Sequence, residues 1–333
     1  MDSVENSTHS SIYPQMMSKG STIGITAVSA GAGYKIPDLE SSEENLSEYF
    51  NFVETDNVRS TDYISSDPDV RAKELDSLFT DKNIDGIFCA TGGDFCLEML
   101  DYINFDTIKN NPKWIMGASD PTSILYIITT KLNIATLYGL NGASFSGELH
   151  ECHKNNIEIL QGNIVKQNSF KKYDTNTGFG EYKLDGDVYW ESNGDVDVTG
   201  RLIGGCFDVL LDIIGTKYDY TLDFIENYKS DGIIWYFDVF AKSSVDFYLS
   251  LLQMKMAGWF KYTKAIMIGR VKYPSMPFED FSYQDAINRL NLDFPIIFNC
   301  DIGHVFPKMT IINGSIGHVK CSNGIGSIEM ELK

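Results

Sequence analysis

The chain has 333 residues, which corresponds to about two domains of roughly 150 residues each. Apolar residues make up 43% and charged residues 22%, so the composition is that of a globular protein with a packed core and not of a disordered chain. The formal net charge is −19, from 27 Lys and Arg against 46 Asp and Glu, which argues against nucleic-acid phosphates or anionic lipids as partners.

The N-terminal segment does not have the pattern expected of a signal peptide. It has neither the basic region nor the apolar core of a signal peptide, and the chain contains no uninterrupted apolar stretch of about 18 residues. We therefore expect a cytoplasmic protein with no membrane contact. Residues 1–20 are polar and aperiodic, and this pattern predicts a flexible tail.

Residues 21–145 alternate between apolar runs and segments of helical periodicity. The predicted strands are 22–28, 86–90 and 114–116, and the predicted helices are 68–79, 97–103 and 121–128. This alternation predicts an α/β fold in which the N-terminal domain is a doubly wound, mostly parallel sheet. Reactive groups should then gather where the strands end.

The second half of the chain predicts a smaller β-rich α/β domain. Residues 146–199 are rich in Asn and Asp and are typical of a linker with hairpins. Residues 200–333 form the predicted C-terminal domain. Its predicted strands are 232–237, 265–269 and 295–298, with a helix at 243–257 and closing β-structure at 310–312 and 324–332.

Three residues at predicted strand ends form a candidate catalytic set. Ser119 lies where a strand turns sharply into a helix, a position for a nucleophile, although a Ser here is also a common helix cap. Asp238 follows five apolar residues and could orient a histidine, or cap the next helix. His304 follows a buried run and is a candidate general base, with a structural buried histidine as the alternative.

Other motifs indicate that no cofactor or metal is needed. Gly92 and Gly93 end a buried strand without side-chain bulk, so their backbone amides are predicted to face a substrate, unless they only form a tight turn. The Gly31-Ala-Gly33 segment lacks the third glycine of a dinucleotide fingerprint. His150 and His153 lack a second ligand pair at metal-site spacing.

Several segments of the sequence resemble the LD-carboxypeptidase and microcin C immunity (MccF-like) serine peptidase family. The similarity extends over about 22–332 and is carried by the segments at 71–93, 100–122, 200–205, 232–238 and 301–304. They match the family's helix, strand and double-glycine turn, its nucleophile region (here NPKWIMGASDPT), the start of its second domain, the strand ending in its catalytic acid, and its catalytic histidine. The joint match is more specific than any one segment.

The resemblance implies a serine peptidase that cleaves the amide beside a terminal residue. Ser119 would attack the carbonyl, His304 would take and return the proton, and Asp238 would hold the imidazole. The backbone amides of Gly93 and Asp120 would form the oxyanion hole. Members of the family are commonly cytoplasmic dimers without a metal, so we expect a homodimer that binds a small peptide or peptide-nucleotide substrate.

The sequence differs from the family pattern at two places, and these differences allow more than one activity. Asp238 replaces the usual Glu, which shortens the reach of the carboxylate by one methylene, and the residues at 94–96 differ from the usual turn. The leading hypothesis is a carboxypeptidase of murein recycling that removes the terminal D-alanine of murein tetrapeptide. The alternatives are a microcin C immunity-type hydrolase of aminoacyl-nucleotide antibiotics and a catalytically impaired binding protein of the same fold.

Overall fold

The computed structural model describes residues 10–178 and 182–333 and has a mixed α/β architecture, which confirms the predicted fold class. The helices of these residues are α1 (Ile36–Leu46), α2 (Pro68–Thr80), α3 (Phe105–Asn110), α4 (Thr122–Leu132), α5 (Glu151–Leu160), α6 (Phe207–Ile213), α7 (Thr221–Asn227), α8 (Ser244–Met256) and α9 (Tyr283–Leu290). The strands are β1 (Ser21–Thr26), β2 (Phe50–Glu54), β3 (Gly86–Cys89), β4 (Trp114–Gly117), β5 (Thr136–Tyr138), β6 (Gln167–Asn168), β7 (Lys172–Asp174), β8 (Leu184–Asp187), β9 (Glu191–Ser192), β10 (Val196–Cys206), β11 (Ile233–Asp238), β12 (Thr263–Gly269), β13 (Ile296–Cys300), β14 (Ile311–Asn313), β15 (Ile316–Ser322) and β16 (Ile325–Glu331).

The first sheet has six strands in the order β14-β5-β4-β3-β1-β2. All neighbours are parallel except β14, which runs antiparallel to β5. Every residue of β3 and of β4 is buried. This burial fits their continuous apolar sequences, since the strands of a parallel sheet are covered on both faces.

The second sheet has eight strands in the order β6-β16-β15-β10-β11-β12-β13-β9. Its central strands β10 to β13 are parallel, and the strands on either side of them are antiparallel. β11 is buried along its whole length and ends at Asp238. This fully buried strand therefore ends in a residue with a carboxylate side chain.

Helix α4 joins the two sheets. Nine of its eleven residues are buried, and it contacts β4 and β14 of the first sheet and β10 of the second. A helix that is apolar on all sides is typical of such an interior position. Because α4 begins three residues after Ser119, it brings that serine to the boundary between the sheets.

Strand β14 differs from the predicted organisation. Residues 310–312 were expected to close the C-terminal domain, yet β14 pairs with β5 and so belongs to the first sheet. Ile312 pairs with Leu137, and both side chains are buried. An apolar run of three residues predicts a strand but carries no information about the sheet to which it adds.

The region predicted as a linker with hairpins, 146–199, contains the β7-β8 hairpin but also helix α5. The apolar positions Cys152, Ile157 and Leu160 are buried, and the polar residues between them obscure the helical periodicity. The side chain of His150 caps the helix by accepting a hydrogen bond from the Cys152 N–H at 3.2 Å. Histidine is not among the usual capping residues, so the sequence did not predict this helix start.

The residues at 10–20 do not form the predicted flexible tail. Ile12 pairs with Ile134, and the Tyr13 hydroxyl donates a hydrogen bond to the Gly314 carbonyl at 2.9 Å. Met17 is buried in the core. The remainder of the predicted tail, residues 1–9, lies outside the described residues. Within the described residues, no helix is long and apolar enough to cross a membrane.

Candidate active site

Ser119 occupies the turn between β4 and α4 in a left-handed backbone conformation, with φ of +67°. Non-glycine residues rarely adopt this conformation, and it is maintained only where the surroundings enforce it. Its backbone N–H donates to the Tyr138 hydroxyl at 3.2 Å, and the preceding Ala118 N–H donates to Asn141 Oδ1 at 2.9 Å. At Gly117 a Cβ atom would lie 2.8 Å from the Pro121 ring, so only glycine permits the tight turn.

His304 faces this serine from the loop between β13 and β14. Its Nε2 lies 3.1 Å from the Ser119 Oγ. The ring of Phe240 lies against the imidazole, with 4.5 Å between the ring centroids. The predicted base therefore contacts the predicted nucleophile, although they are separated by 185 positions in the sequence.

Asp238 lies on the opposite edge of the imidazole. Its two carboxylate oxygens lie 2.8 and 2.9 Å from His304 Nδ1, and one of them also accepts the His304 backbone N–H at 3.0 Å. The Tyr138 hydroxyl donates to the other oxygen. When the Nδ1–H donates to this carboxylate, Nε2 is left to accept the proton of the Ser119 hydroxyl.

The carboxylate of Asp238 stays ionised although its side chain is fully buried. Burial alone raises the pKa of a carboxyl group. The charge of His304 and the hydrogen bonds from His304 and Tyr138 outweigh this effect and hold the pKa of Asp238 below its ordinary value. Asp238 is therefore a permanent acceptor for the imidazole at neutral pH.

Gly303 explains how the short Asp238 side chain reaches the histidine. Its φ is +97°, and a Cβ atom at this position would lie 1.9 Å from the Asp238 Oδ1. Because there is no side chain here, the loop backbone packs directly on the carboxylate and brings His304 within hydrogen-bond distance. The close approach of the loop therefore lets the short Asp238 side chain hydrogen-bond the imidazole directly.

Two backbone N–H groups are available to bind a developing oxyanion. Within residues 10–178 and 182–333, neither the Gly93 nor the Asp120 N–H donates a hydrogen bond. The Asp120 side chain is buried and accepts the Cys96 N–H at 2.7 Å, which fixes the orientation of its own backbone. At Gly93, with φ of +149°, a Cβ atom would lie 2.2 Å from the Ser29 Oγ. Gly92 lies against the predicted nucleophile, since a Cβ atom there would be 3.2 Å from the Ser119 Oγ.

The structure thus brings together all the residues that the sequence nominated, and two further residues that it did not. Tyr138 ends a parallel strand of the first sheet, so the strand-end rule that selected Ser119 could also have selected it. Nothing in the sequence around Gly303 indicates that it belongs to the site, because its role depends on a contact with Asp238, 65 positions earlier.

The two histidines that stand close together in the sequence, His150 and His153, have structural roles at the start of α5. His153 is buried, and its imidazole packs at 5.5 Å from the Phe145 ring while its Nδ1 accepts the His150 N–H. Burial lowers the pKa of His153 to about 4, so its imidazole is neutral. Over the described part of the chain, no group of three His, Cys, Asp or Glu side chains is placed to hold a metal ion.

Known proteins resemble this chain in both sequence and structure. The family model for the LD-carboxypeptidase N-terminal domain matches residues 23–139, and the model for the LD-carboxypeptidase C-terminal domain matches residues 199–319. A carboxypeptidase-named protein of Vibrio cholerae is 24% identical over 96% of this chain and 98% of its own length. The microcin C7 self-immunity protein MccF of Escherichia coli is 25% identical over 72% of each chain.

Solved structures have the same fold. The apo structure of an inactive mutant of MccF superposes with a TM-score of 0.81 at 22% identity, covering 96% of this chain and 98% of that one. A muramoyltetrapeptide carboxypeptidase from Oxalobacter formigenes gives a TM-score of 0.74 at 18% identity, covering 93% and 98%. Since the two family models together match well over half of the chain, this protein belongs to the LD-carboxypeptidase family of peptidases.

Proposed function

We propose that the protein is a serine carboxypeptidase that hydrolyses the amide bond beside the terminal residue of an LD-peptide such as murein tetrapeptide. The observation that carries the proposal is the continuous hydrogen-bond chain from Ser119 Oγ through His304 to Asp238. This chain has the geometry of a nucleophile, a general base and a group that orients the base. These three residues lie at or just after strand ends, in a protein that belongs to a peptidase family.

In the first half of the proposed reaction, His304 Nε2 takes the hydroxyl proton as Ser119 Oγ attacks the carbonyl carbon. The carbonyl oxygen becomes an oxyanion, which the N–H groups of Gly93 and Asp120 bind. Preorganised donors of this kind are worth about 3 kcal/mol each in comparable sites. Asp238 stabilises the imidazolium that forms on His304.

In the second half, His304 returns the proton to the leaving amine as the carbon–nitrogen bond breaks, and the terminal amino acid departs. The peptide remains as an ester of Ser119. Water then attacks this ester, His304 again takes a proton, and Ser119 leaves with that proton as the acid product forms. No step needs a metal or a cofactor, so we propose that the protein uses neither.

A second candidate function is hydrolysis of aminoacyl-nucleotide antibiotics. It is favoured by the similarity to MccF, one structure of which is described as a complex with aspartyl sulfamoyl adenosine. The same hydrogen-bond chain can serve both reactions, because each of them transfers an acyl group to Ser119. In either case we propose that the protein is cytoplasmic and acts on a small peptide or peptide-nucleotide substrate. We also propose that it is a homodimer, and the sedimentation velocity of the purified protein measures this oligomeric state directly.

A substrate panel with a Ser119→Ala control tests the proposal. We expect the wild-type protein to release D-alanine from murein tetrapeptide, and the variant to lose this activity by about 10⁴-fold or more while still binding the peptide. Hydrolysis of an aminoacyl sulfamoyl adenosine, with no release of D-alanine, would assign the second function instead. If neither compound is hydrolysed but both are bound, the protein is a binding protein that has lost turnover.

A further inference from the structure

Three neighbouring strands of the first sheet end around the proposed oxyanion hole. The sheet order β4-β3-β1 places the turn after β3 between the segments that follow the other two strands. This turn, residues 91–96, carries Gly93, whereas Asp120 follows β4 and Ser29 follows β1. The two proposed oxyanion donors, the N–H groups of Gly93 and Asp120, therefore belong to different segments. Their separation depends on contacts between those segments and not on the geometry of a single turn.

The side chain of Asp120 connects the two segments directly. Its Oδ2 accepts the backbone N–H of Cys96 at 2.7 Å, and Asp120 is only 4% exposed. Cys96 lies three residues after Gly93, so this bond fixes one end of the turn that carries the other donor. Removing the acceptor would leave a buried N–H group unpaired, and the turn would have to move to find another partner.

Ser29 contacts the same turn from the opposite side. Its Oγ accepts the Phe95 N–H at 3.0 Å, and the residue is fully buried. It also lies directly against Gly93, where a Cβ atom would be 2.2 Å from the Ser29 Oγ. The Ala30 N–H donates to the Gly92 carbonyl at 3.3 Å, so the start of the turn is bonded to the same segment.

The turn does not stabilise its own conformation by backbone hydrogen bonds. In the part of the chain that the structure describes, no backbone–backbone hydrogen bond joins two residues of 91–96. Its last two N–H groups bind the side chains of Ser29 and Asp120 instead. The shape of the turn is therefore set by its two neighbours, and a change in either side chain is expected to move the Gly93 N–H.

We propose that the Asp120 side chain is a positioning group that sets the separation of the two oxyanion donors, and that Ser29 supports the turn from the other side. Asp120 then acts twice on one oxyanion, because its N–H donates to it and its side chain holds the segment of the second donor. The inference rests on the proposed function, since an oxyanion forms only when Ser119 attacks a carbonyl. Preorganised donors stabilise the transition state more than the bound substrate, so this role predicts a loss of turnover and not of binding.

A boronic acid separates the oxyanion hole from the rest of the substrate site. The probe carries a boronic acid group in place of the scissile carbonyl of murein tetrapeptide. Ser119 Oγ bonds to boron while His304 takes the hydroxyl proton, and the tetrahedral adduct holds an oxygen where the oxyanion would lie. For Asp120→Ala we expect kcat/KM for the tetrapeptide and the affinity for the boronic acid to fall together, by about 100-fold. The affinity for the tetrapeptide itself, measured by calorimetry in a Ser119→Ala background, should change by less than about 3-fold.

Two further variants use the same measurements. Asp120→Asn keeps an oxygen that can accept the Cys96 N–H, so it should recover kcat/KM to within about 10-fold of the wild-type value. Ser29→Ala removes the acceptor of the Phe95 N–H and should lower kcat/KM and the affinity for the boronic acid by about 10-fold each. It tests the held turn independently if Asp120→Ala does not fold.

Asp85→Ala is the matched control for the loss of a bond between a carboxyl group and a backbone N–H. Asp85 precedes β3, at the opposite end of the strand from the turn, and its Oδ2 accepts the Thr22 N–H at 2.8 Å. The variant loses the same kind of bond on the same strand. It should keep the wild-type kcat/KM and the wild-type affinity for the boronic acid.

Two results would overturn the positioning role alone. An equal loss of affinity for the tetrapeptide and for the boronic acid would show that Asp120 supports the substrate site as a whole. An unchanged affinity for the boronic acid in Asp120→Ala would show that its side chain does not set the donors. A third result would contradict the peptidase function as well. If the wild-type protein binds the boronic acid no more tightly than Ser119→Ala does, Ser119 is not a nucleophile towards this peptide.

Discussion

The two sheets contribute to the proposed active site by different physical means. The first sheet positions the proposed nucleophile and oxyanion donors through backbone conformation, with Ser119 at φ of +67° and Gly93 at +149°. The second sheet and the loop after it position the proposed acid and base through hydrogen bonds between side chains, from Asp238 to His304. The comparison shows that the first half of the site depends on the turn geometry, whereas the second depends on how closely a loop approaches a buried carboxylate.

Outside the three proposed catalytic residues, replacing Gly303 should cause the largest loss of activity, because the new side chain separates the loop from the carboxylate. In Gly303→Ala the new Cβ overlaps the Asp238 Oδ1 at 1.9 Å, and φ of +97° is unfavourable for alanine. A displacement of about 1 Å at a catalytic group can lower the rate by about 100-fold. We expect kcat/KM to fall at least that far and the free energy of unfolding to fall by about 1–3 kcal/mol.

The matching change on the other sheet is Gly92→Ala. Its Cβ would lie 3.0 Å from the Ser119 Cβ, an overlap that a shift of a few tenths of an ångström relieves. We expect a loss of at most about 10-fold in kcat/KM, since Ser119 stays within reach of His304. Rates and urea unfolding of the two variants, measured in parallel, test the comparison. Equal losses of kcat/KM in both variants would show that activity depends no more strongly on the close approach of the His304 loop than on the geometry of the Ser119 turn.

Tyr138 connects the two halves of the site, so its hydroxyl should matter to both. Tyr138→Phe removes the donor to Asp238 and the acceptor for the Ser119 N–H. We expect kcat/KM to fall by about 10-fold and the free energy of unfolding to fall by about 1–2 kcal/mol.

Tyr236→Phe provides the matched control for this measurement. Tyr236 is also fully buried, and its hydroxyl donates to Asn313 Oδ1 at 2.7 Å without contact to the triad. This variant should lose similar stability and retain the wild-type rate. An activity loss of the same size in both variants would mean that the Tyr138 hydroxyl contributes only to folding.

The smallest effect on activity is expected at His153, which lies outside the triad and should instead affect stability at low pH. Its pKa is about 4 in the folded state against 6.5 unfolded, so the unfolded chain binds the proton first. The resulting stability is fully present above pH 6.5 and is lost as the pH falls towards 4, by about 3 kcal/mol in total. Urea unfolding at several pH values should show this slope, and His153→Gln should flatten it more than His150→Gln does. Equal slopes in wild type and His153→Gln would contradict the prediction.

The sequence could predict features that depend on neighbouring residues, such as single strands. It could not predict features that depend on packing between distant parts of the chain. The buried strands 86–90 and 114–116 could be predicted because parallel strands have continuous apolar sequences. The spatial meeting of Ser119 and His304 was a hypothesis from strand ends and family resemblance. The Gly303 contact, the addition of β14 to the first sheet and the His150 cap of α5 could not be predicted, because each depends on residues far apart or on an unusual residue type.

The loop that carries His304 is fixed at one end by β13 in the second sheet and at the other by β14 in the first. On the ribosome, the N-terminal sheet emerges first and presents the nucleophile turn long before the chain reaches residue 311. Its β5 edge stays unpaired until then, and the base has no second anchor. A nascent or truncated chain that lacks β14 is therefore expected to be inactive in the proposed hydrolysis, because the loop of His304 would be fixed at one end only.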